Sequence, residues 1–130
     1  MLAQQPPFQH EQVLDGLAVP TSATFLPNGR MLITSLYGTV WITSPVNQPP
    51  VTYSVYLQLQ NLNNSAEHGL MEVLLDPDFA TNNFIYLYYS TTANKNRVSR
   101  FLHQGTTASL ASETVIFETP DTFSNCCHVG

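Results

Sequence analysis

The sequence predicts an all-β chain made of two four-stranded antiparallel units, and three observations predict it. The first is composition: Pro, Asn, Thr, Ser and Gln are abundant beside Tyr, Phe, Val, Ile and Leu, the mixture of short strands joined by polar turns. The second is that the apolar stretches are short and separated by polar turns, with none of the three-and-four spacing of an amphipathic helix. The third is recurrence, since the apolar run that enters a turn at Pro27 returns at Pro77, about fifty residues later.

The elements follow in order. Met1 to Pro7 lacks both the basic start and the apolar stretch of a signal peptide, so residues 1–11 read as a lead-in, with Met1-Leu2-Ala3-Gln4 as the remnant of a leader. Phe8 to Leu17 leads toward Pro20 through a short apolar stretch that is expected to be a strand. Ala23 to Leu26 and Met31 to Thr34 flank Pro27-Asn28-Gly29, a hairpin signal. Tyr37-Gly38 makes the next turn, Thr39 to Thr43 the third strand, and Val51 to Leu59 the fourth after a proline-rich loop. In the second copy the strands are Leu70 to Leu75, Phe84 to Ser90, Arg97 to Leu102 and Thr114 to Phe117. Strand alternation puts Phe84, Tyr86 and Tyr88 on one face, expected to pack between units, and Arg97 and Arg100 are expected to meet nearby acids.

Four antiparallel strands in about fifty residues, repeated, describe β-propeller blades, here about 12–62 and 66–120, with 121–130 beginning the next segment. A single eight-stranded sandwich is the competing all-β reading. Each blade buries its faces against neighbours, and roughly four to eight blades close a propeller, so two blades leave two apolar faces bare. The chain is therefore expected to be an incomplete part of a larger propeller.

Composition also narrows function. Four basic against nine acidic residues give a formal charge of −5 and no basic stripe, which argues against nucleic acid as a partner. No apolar run approaches the ~20 residues that would span a bilayer. Asp76-Pro77-Asp78 lacks the acidic spacing of a calcium-binding EF-hand loop and reads as a turn. Cys126-Cys127-His128 lacks the usual spacer between zinc-ligating cysteines, and no metal is assigned to it. A bridge between the adjacent cysteines would be strained, because neighbouring Cα atoms lie only ~3.8 Å apart; partners elsewhere, or free thiols, are the other options. Asn63-Asn64-Ser65 matches the acceptor pattern for N-glycosylation. Read by themselves, Glu67 and His68 form a solvated turn before a buried strand.

The run Glu67-His68-Gly69-Leu70-Met71-Glu72-Val73-Leu74-Leu75-Asp76-Pro77-Asp78-Phe79 resembles the soluble quinoprotein glucose and sorbosone dehydrogenase family. So do Ile85 to Tyr89, Asn96 to Phe101, Leu26-Pro27-Asn28-Gly29-Arg30 and Gly38-Thr39-Val40, and the likeness covers about residues 12 to 130. It implies a six-bladed propeller, usually exported to the periplasm or the medium, that binds pyrroloquinoline quinone (PQQ) with calcium and oxidises a sugar or other alcohol. It makes His128 the catalytic base, taking the substrate hydroxyl proton while a hydride passes to the quinone, and imidazole chemistry suits that task at neutral pH. It places Glu67 near the substrate as a hydrogen-bonding group. Where the glucose dehydrogenases carry an acidic residue before the histidine, this chain has Cys127. The quinone and calcium ligands are expected beyond residue 130, so the isolated chain is expected to be inactive. A non-catalytic extracellular propeller that binds protein or carbohydrate is the alternative, since fold alone does not certify catalysis.

Overall fold

Two meanders account for nearly all regular structure in the computed structural model, which describes residues 7–123. The first sheet has the order β1-β2-β3-β4, from Pro20–Phe25, Met31–Ser35, Thr39–Thr43 and Tyr53–Gln58. The second has the order β5-β6-β7-β8, from Leu70–Leu75, Phe84–Ser90, Asn96–His103 and Ala108–Glu118. All neighbours are antiparallel. The turns are those the proline and glycine positions call for. At the first, Gly29 N–H donates to Leu26 C=O (3.0 Å) and Leu26 N–H to Arg30 C=O (2.8 Å), with Gly29 at φ 79°.

The fifty-residue recurrence holds at the level of register. β1 and β5 begin at Pro20 and Leu70, and each carries an irregularity just after its first residue, between Pro20 and Ser22 and between Leu70 and Glu72. A bulge bends and twists its strand, so the two first strands are bent alike.

The sheets pack face to face over one core. Leu32, Val40, Ile42, Tyr56 and Leu57 come from the first sheet; Leu70, Val73, Ile85, Leu87, Tyr89 and Phe101 come from the second. Burying each such side chain stabilises the fold by about 1.5–3 kcal/mol. The sheets also join through polar groups: Thr21 Oγ1 donates to Leu70 C=O at 2.8 Å, and the Ser22 hydroxyl donates to Glu72.

Several sequence expectations change in detail. The stretch before Pro20 forms no strand among the described residues; it is tied to the end of β2 by Leu36 N–H donating to Val19 C=O (3.0 Å) and the Ser35 hydroxyl to Ala18 C=O (2.7 Å). Phe79–Asn82 makes a single helical turn that the pattern did not announce. The face of β6 buried against the first sheet is Ile85, Leu87 and Tyr89, whereas Phe84, Tyr86 and Tyr88 lie half-buried on the far side. Arg97 does meet an acid, its Nε donating to Glu118 at 2.7 Å and holding that carboxyl below the usual range. Arg100 lies over the Phe84 ring, 4.0 Å from its centroid, a cation–π contact, and its charge also helps to hold the Asp76 carboxyl below its ordinary range.

A polar bridge crosses the core at the end where β1 and β5 finish. Tyr56 Oη lies 2.8 Å from His103 Nδ1, and the His103 ring also contacts Phe79. Burial, then the Arg30 charge, depress the His103 pKa below its ordinary value, while burial raises that of Tyr56. Both shifts favour the neutral forms of the pair, which the hydrogen bond joins. Because His103 binds a proton less readily in the folded state than in the unfolded chain, the contribution is complete above the ordinary histidine pKa of about 6.5 and is lost as pH falls through the depressed value. Thermal unfolding followed at pH 7.5 and pH 5 should show a lower midpoint in acid, and His103→Gln should flatten that difference.

Candidate functional site

Three loops meet at the opposite end, where β5 starts and β6 and β8 finish. They are the connection 61–68 between the sheets, the turn 91–95 between β6 and β7, and the exit segment 119–123. Asparagines knit them together. Asn63 Nδ2 donates to Asn94 Oδ1 at 2.8 Å, and Asn63 Oδ1 accepts from the Ser65 N–H and hydroxyl. Thr92 N–H donates to Asn61 C=O, and Phe123 N–H to Asn94 C=O at 2.9 Å. Short amide side chains suit this work because they bond backbone two residues away and tolerate positive φ, as Asn94 does at 56°. The Asn63 amide nitrogen of the glycosylation pattern is engaged in this lattice.

Glu67 sits at the tip of the 61–68 connection and is exposed. The turn beneath it closes with His68 N–H donating to Ser65 C=O at 3.0 Å. Gly69 then follows at φ 149°, so close to the first sheet that a Cβ there would lie 2.3 Å from the Leu36 carbonyl oxygen. Leu70 N–H donates to that oxygen at 3.1 Å. The turn bearing Glu67 is thus seated on the β2–β3 turn by direct backbone contact, which only glycine permits.

His68 departs from the solvated-turn expectation. It is fully buried, its ring stacks on Phe123 with centroids 4.1 Å apart and 21° between planes, and both ring nitrogens lack hydrogen-bond partners among the described residues. Sequence reading missed this, and the available signal was Gly69, which draws its neighbour into the interface. Cys126, Cys127 and His128 lie outside the described residues, so the structure places Glu67 but does not bring it together with His128.

The four cations of the chain are all engaged. Arg30 donates to Thr43 C=O, Lys95 and Arg97 meet Glu118, and Arg100 covers Phe84. Among the described residues no cluster of three His, Cys, Asp or Glu side chains is arranged to hold a metal ion. An open cleft of about 560 Å³ lies elsewhere, between the lead-in at Glu11 to Asp15 and the Pro49-Pro50 loop, and none of the three loops lines it. No described helix is long and apolar enough to cross a membrane.

Known proteins share this arrangement. The putative oxidoreductase (glucose dehydrogenase) of Thermus thermophilus superposes with a TM-score of 0.80 at 27% identity, over 92% of this chain and 35% of its own. The PQQ-bound aldose sugar dehydrogenase of Streptomyces coelicolor shares the fold at 0.74 and 23% identity, over 84% of this chain and 33% of its own. The soluble aldose sugar dehydrogenase of Escherichia coli, in its apo form, does so at 0.76 and 24%, over 91% and 35%. An uncharacterized protein of Synechocystis is 35% identical over 98% of this chain and 32% of its own length. The chain thus spans about a third of the length of these relatives. The two four-stranded sheets are blades of the β-propeller architecture of these dehydrogenases. The profile of the family described as Glucose / Sorbosone dehydrogenase matches residues 17–130, and the chain belongs to that family.

Proposed function

We propose that this chain is the N-terminal part of an exported, PQQ-dependent propeller enzyme that oxidises a sugar or other alcohol. In this reading residues 1–11 are a lead-in, 12–62 and 66–120 are the first two blades, and 121–130 begin the next segment. The supporting observation is the meeting of the exposed Glu67 turn with the Phe123 segment, five residues before His128, at one end of the sheets.

Each group has a task its chemistry suits. Glu67, exposed on a backbone-anchored turn, accepts hydrogen bonds from substrate hydroxyls. His128 takes the proton of the hydroxyl undergoing oxidation, as neutral imidazole can near pH 7. PQQ, held with calcium, supplies the hydride acceptor when bound. Its carboxylates need cations, and because Arg30, Lys95, Arg97 and Arg100 are committed within the two sheets, those cations come from the remaining blades. On this account the isolated chain turns over no substrate.

Calorimetric titration of PQQ with calcium into the parent polypeptide, followed by a glucose oxidation assay, tests the reading. Saturable binding accompanied by oxidation is expected. Failure to bind the quinone would overturn it in favour of a non-catalytic propeller serving as a binding module.

A further inference from the structure

The turn that carries Glu67 is shaped by one side chain. Asn63 N–H donates to Ser90 C=O at 2.9 Å, which fixes its backbone to the end of β6. The Asn63 amide then bonds in two directions. Its Oδ1 accepts from the Ser65 N–H at 3.0 Å and the Ser65 hydroxyl at 2.7 Å, and its Nδ2 donates to Asn94 Oδ1 at 2.8 Å. Asn94 is itself held in the 91–95 turn, where its N–H donates to Thr91 C=O at 2.9 Å. From Ser65 the chain passes through Ala66 and Glu67 before His68 N–H closes the turn on Ser65 C=O. Ala66 has φ 54°, a left-handed backbone that a residue with a Cβ holds only where its surroundings over-determine it, and such residues gather at binding and catalytic sites. Here those surroundings are the Asn63 amide on one side and the seat of Gly69 against Leu36 on the other.

We propose that Asn63 is a positioning residue: its amide, anchored on Asn94, sets the 63–68 turn in the one shape that presents the Glu67 carboxylate to the substrate hydroxyls. This rests on the substrate-binding role given above to Glu67. Asn63 acts through its neighbours, since its Oδ1 already accepts two hydrogen bonds and its Nδ2 donates one within the protein. A hydrogen bond to a carboxylate is directional, so a turn that wanders among conformations offers it correctly only part of the time. Apparent affinity falls in proportion to that fraction, which places the effect of Asn63 in substrate binding rather than in the rate of the chemical step.

The test is a double-mutant cycle in the parent polypeptide, with kcat and KM for glucose measured for Asn63→Ala, Glu67→Ala and the two together, and for Asn63→Asp. Glu67→Ala should raise KM by about 10- to 100-fold, the loss of a hydrogen bond to a charged group. Asn63→Ala should raise KM by about 5- to 50-fold with kcat within about 3-fold of wild type, and should add almost nothing once Glu67 is alanine. Asn63→Asp keeps the oxygen that Ser65 bonds, and the Asn94 amide can turn its N–H toward the new carboxylate, so KM should return to within a few-fold of wild type. The proposal is overturned if Asn63→Ala leaves KM unchanged, if it raises KM equally with Glu67 present or absent, or if Asn63→Asp behaves like Asn63→Ala. Should Asn63→Ala fail to fold by its melting curve, Asn94→Gly takes its place in the cycle, since it deletes the anchor while tolerating the positive φ at position 94. A wild-type protein that oxidises no glucose overturns the functional reading alone. The carboxyl resonance of Glu67 in carbon-labelled, cofactor-free protein then decides: a shift in Asn63→Ala that reverses in Asn63→Asp supports control of the turn by Asn63, and an unmoved resonance overturns it.

Discussion

Replacing Gly69 by alanine should remove a large part of the protein's stability, read as a drop of roughly 2–6 kcal/mol in the urea unfolding free energy of the parent polypeptide. Two independent penalties combine. The backbone φ of 149° is one that residues with a Cβ seldom adopt, a strain of about 1–3 kcal/mol. The added methyl would also lie 2.3 Å from the Leu36 carbonyl oxygen, which belongs to backbone and cannot rotate aside. Separating the strands enough to admit it costs about another 1–3 kcal/mol and stretches the bond from Leu70 N–H to the same oxygen. Against total stabilities of about 5–15 kcal/mol the loss is severe. Alanine at Gly105, where φ is 81° but nothing lies within 4 Å, carries only the strain and provides the control. Equal losses at the two positions would show that the Leu36 contact contributes nothing.

His128→Ala should abolish most oxidation while leaving quinone binding in place. A positioned general base contributes about 10²- to 10⁴-fold to rate, and alanine neither accepts the proton nor reaches it. The expected result is a fall of that size in kcat, with the calorimetric affinity for PQQ within a few-fold of wild type because the proposed cofactor ligands lie elsewhere. Loss of quinone affinity, with kcat retained at saturating cofactor, would move His128 from catalysis to cofactor binding. The pH–rate profile provides a second reading, since its acidic limb should reflect the imidazole that must be neutral to act.

The parts of the fold legible in the sequence are those governed by local rules. Alternation in Phe84 to Ser90, the Pro27-Asn28-Gly29 turn and the return of the pattern at Pro77 each declare themselves within a few residues, and the strands formed where they pointed. What stayed hidden depends on partners far along the chain. The Phe8 to Leu17 stretch carries apolar residues but forms no strand, and nothing local says so. β8 runs from Ala108 to Glu118, well beyond the Thr114 to Phe117 core of its pattern, because register irregularities against β7 break the alternation that would have revealed its length. Arg100 reads as a partner for an acid, and its charge does act on Asp76, but the Phe84 ring beneath it follows only from the pairing of β6 with β7. The candidate site divides the same way. Glu67 is picked out by its motif and lies exposed, whereas His68 reads as part of the same polar turn and is buried where Gly69 approaches Leu36.

The far side of the second sheet settles its own polar groups. Asp76 accepts from Tyr86 Oη at 2.6 Å, Asn82 Nδ2 at 2.8 Å and Asp78 N–H at 2.9 Å, bonds that hold its carboxyl below the ordinary range, and Arg100 rests on Phe84. These side chains are ordered before any further sheet arrives, so little rotamer freedom remains to be lost on docking. That bears on the order of biosynthesis. At about 5–20 residues per second, a ribosome takes several seconds to deliver fifty more residues, long enough for these two sheets to fold and wait. The expected consequence for the parent polypeptide is folding that follows the direction of translation, each sheet offering the next a face whose polar groups are already set.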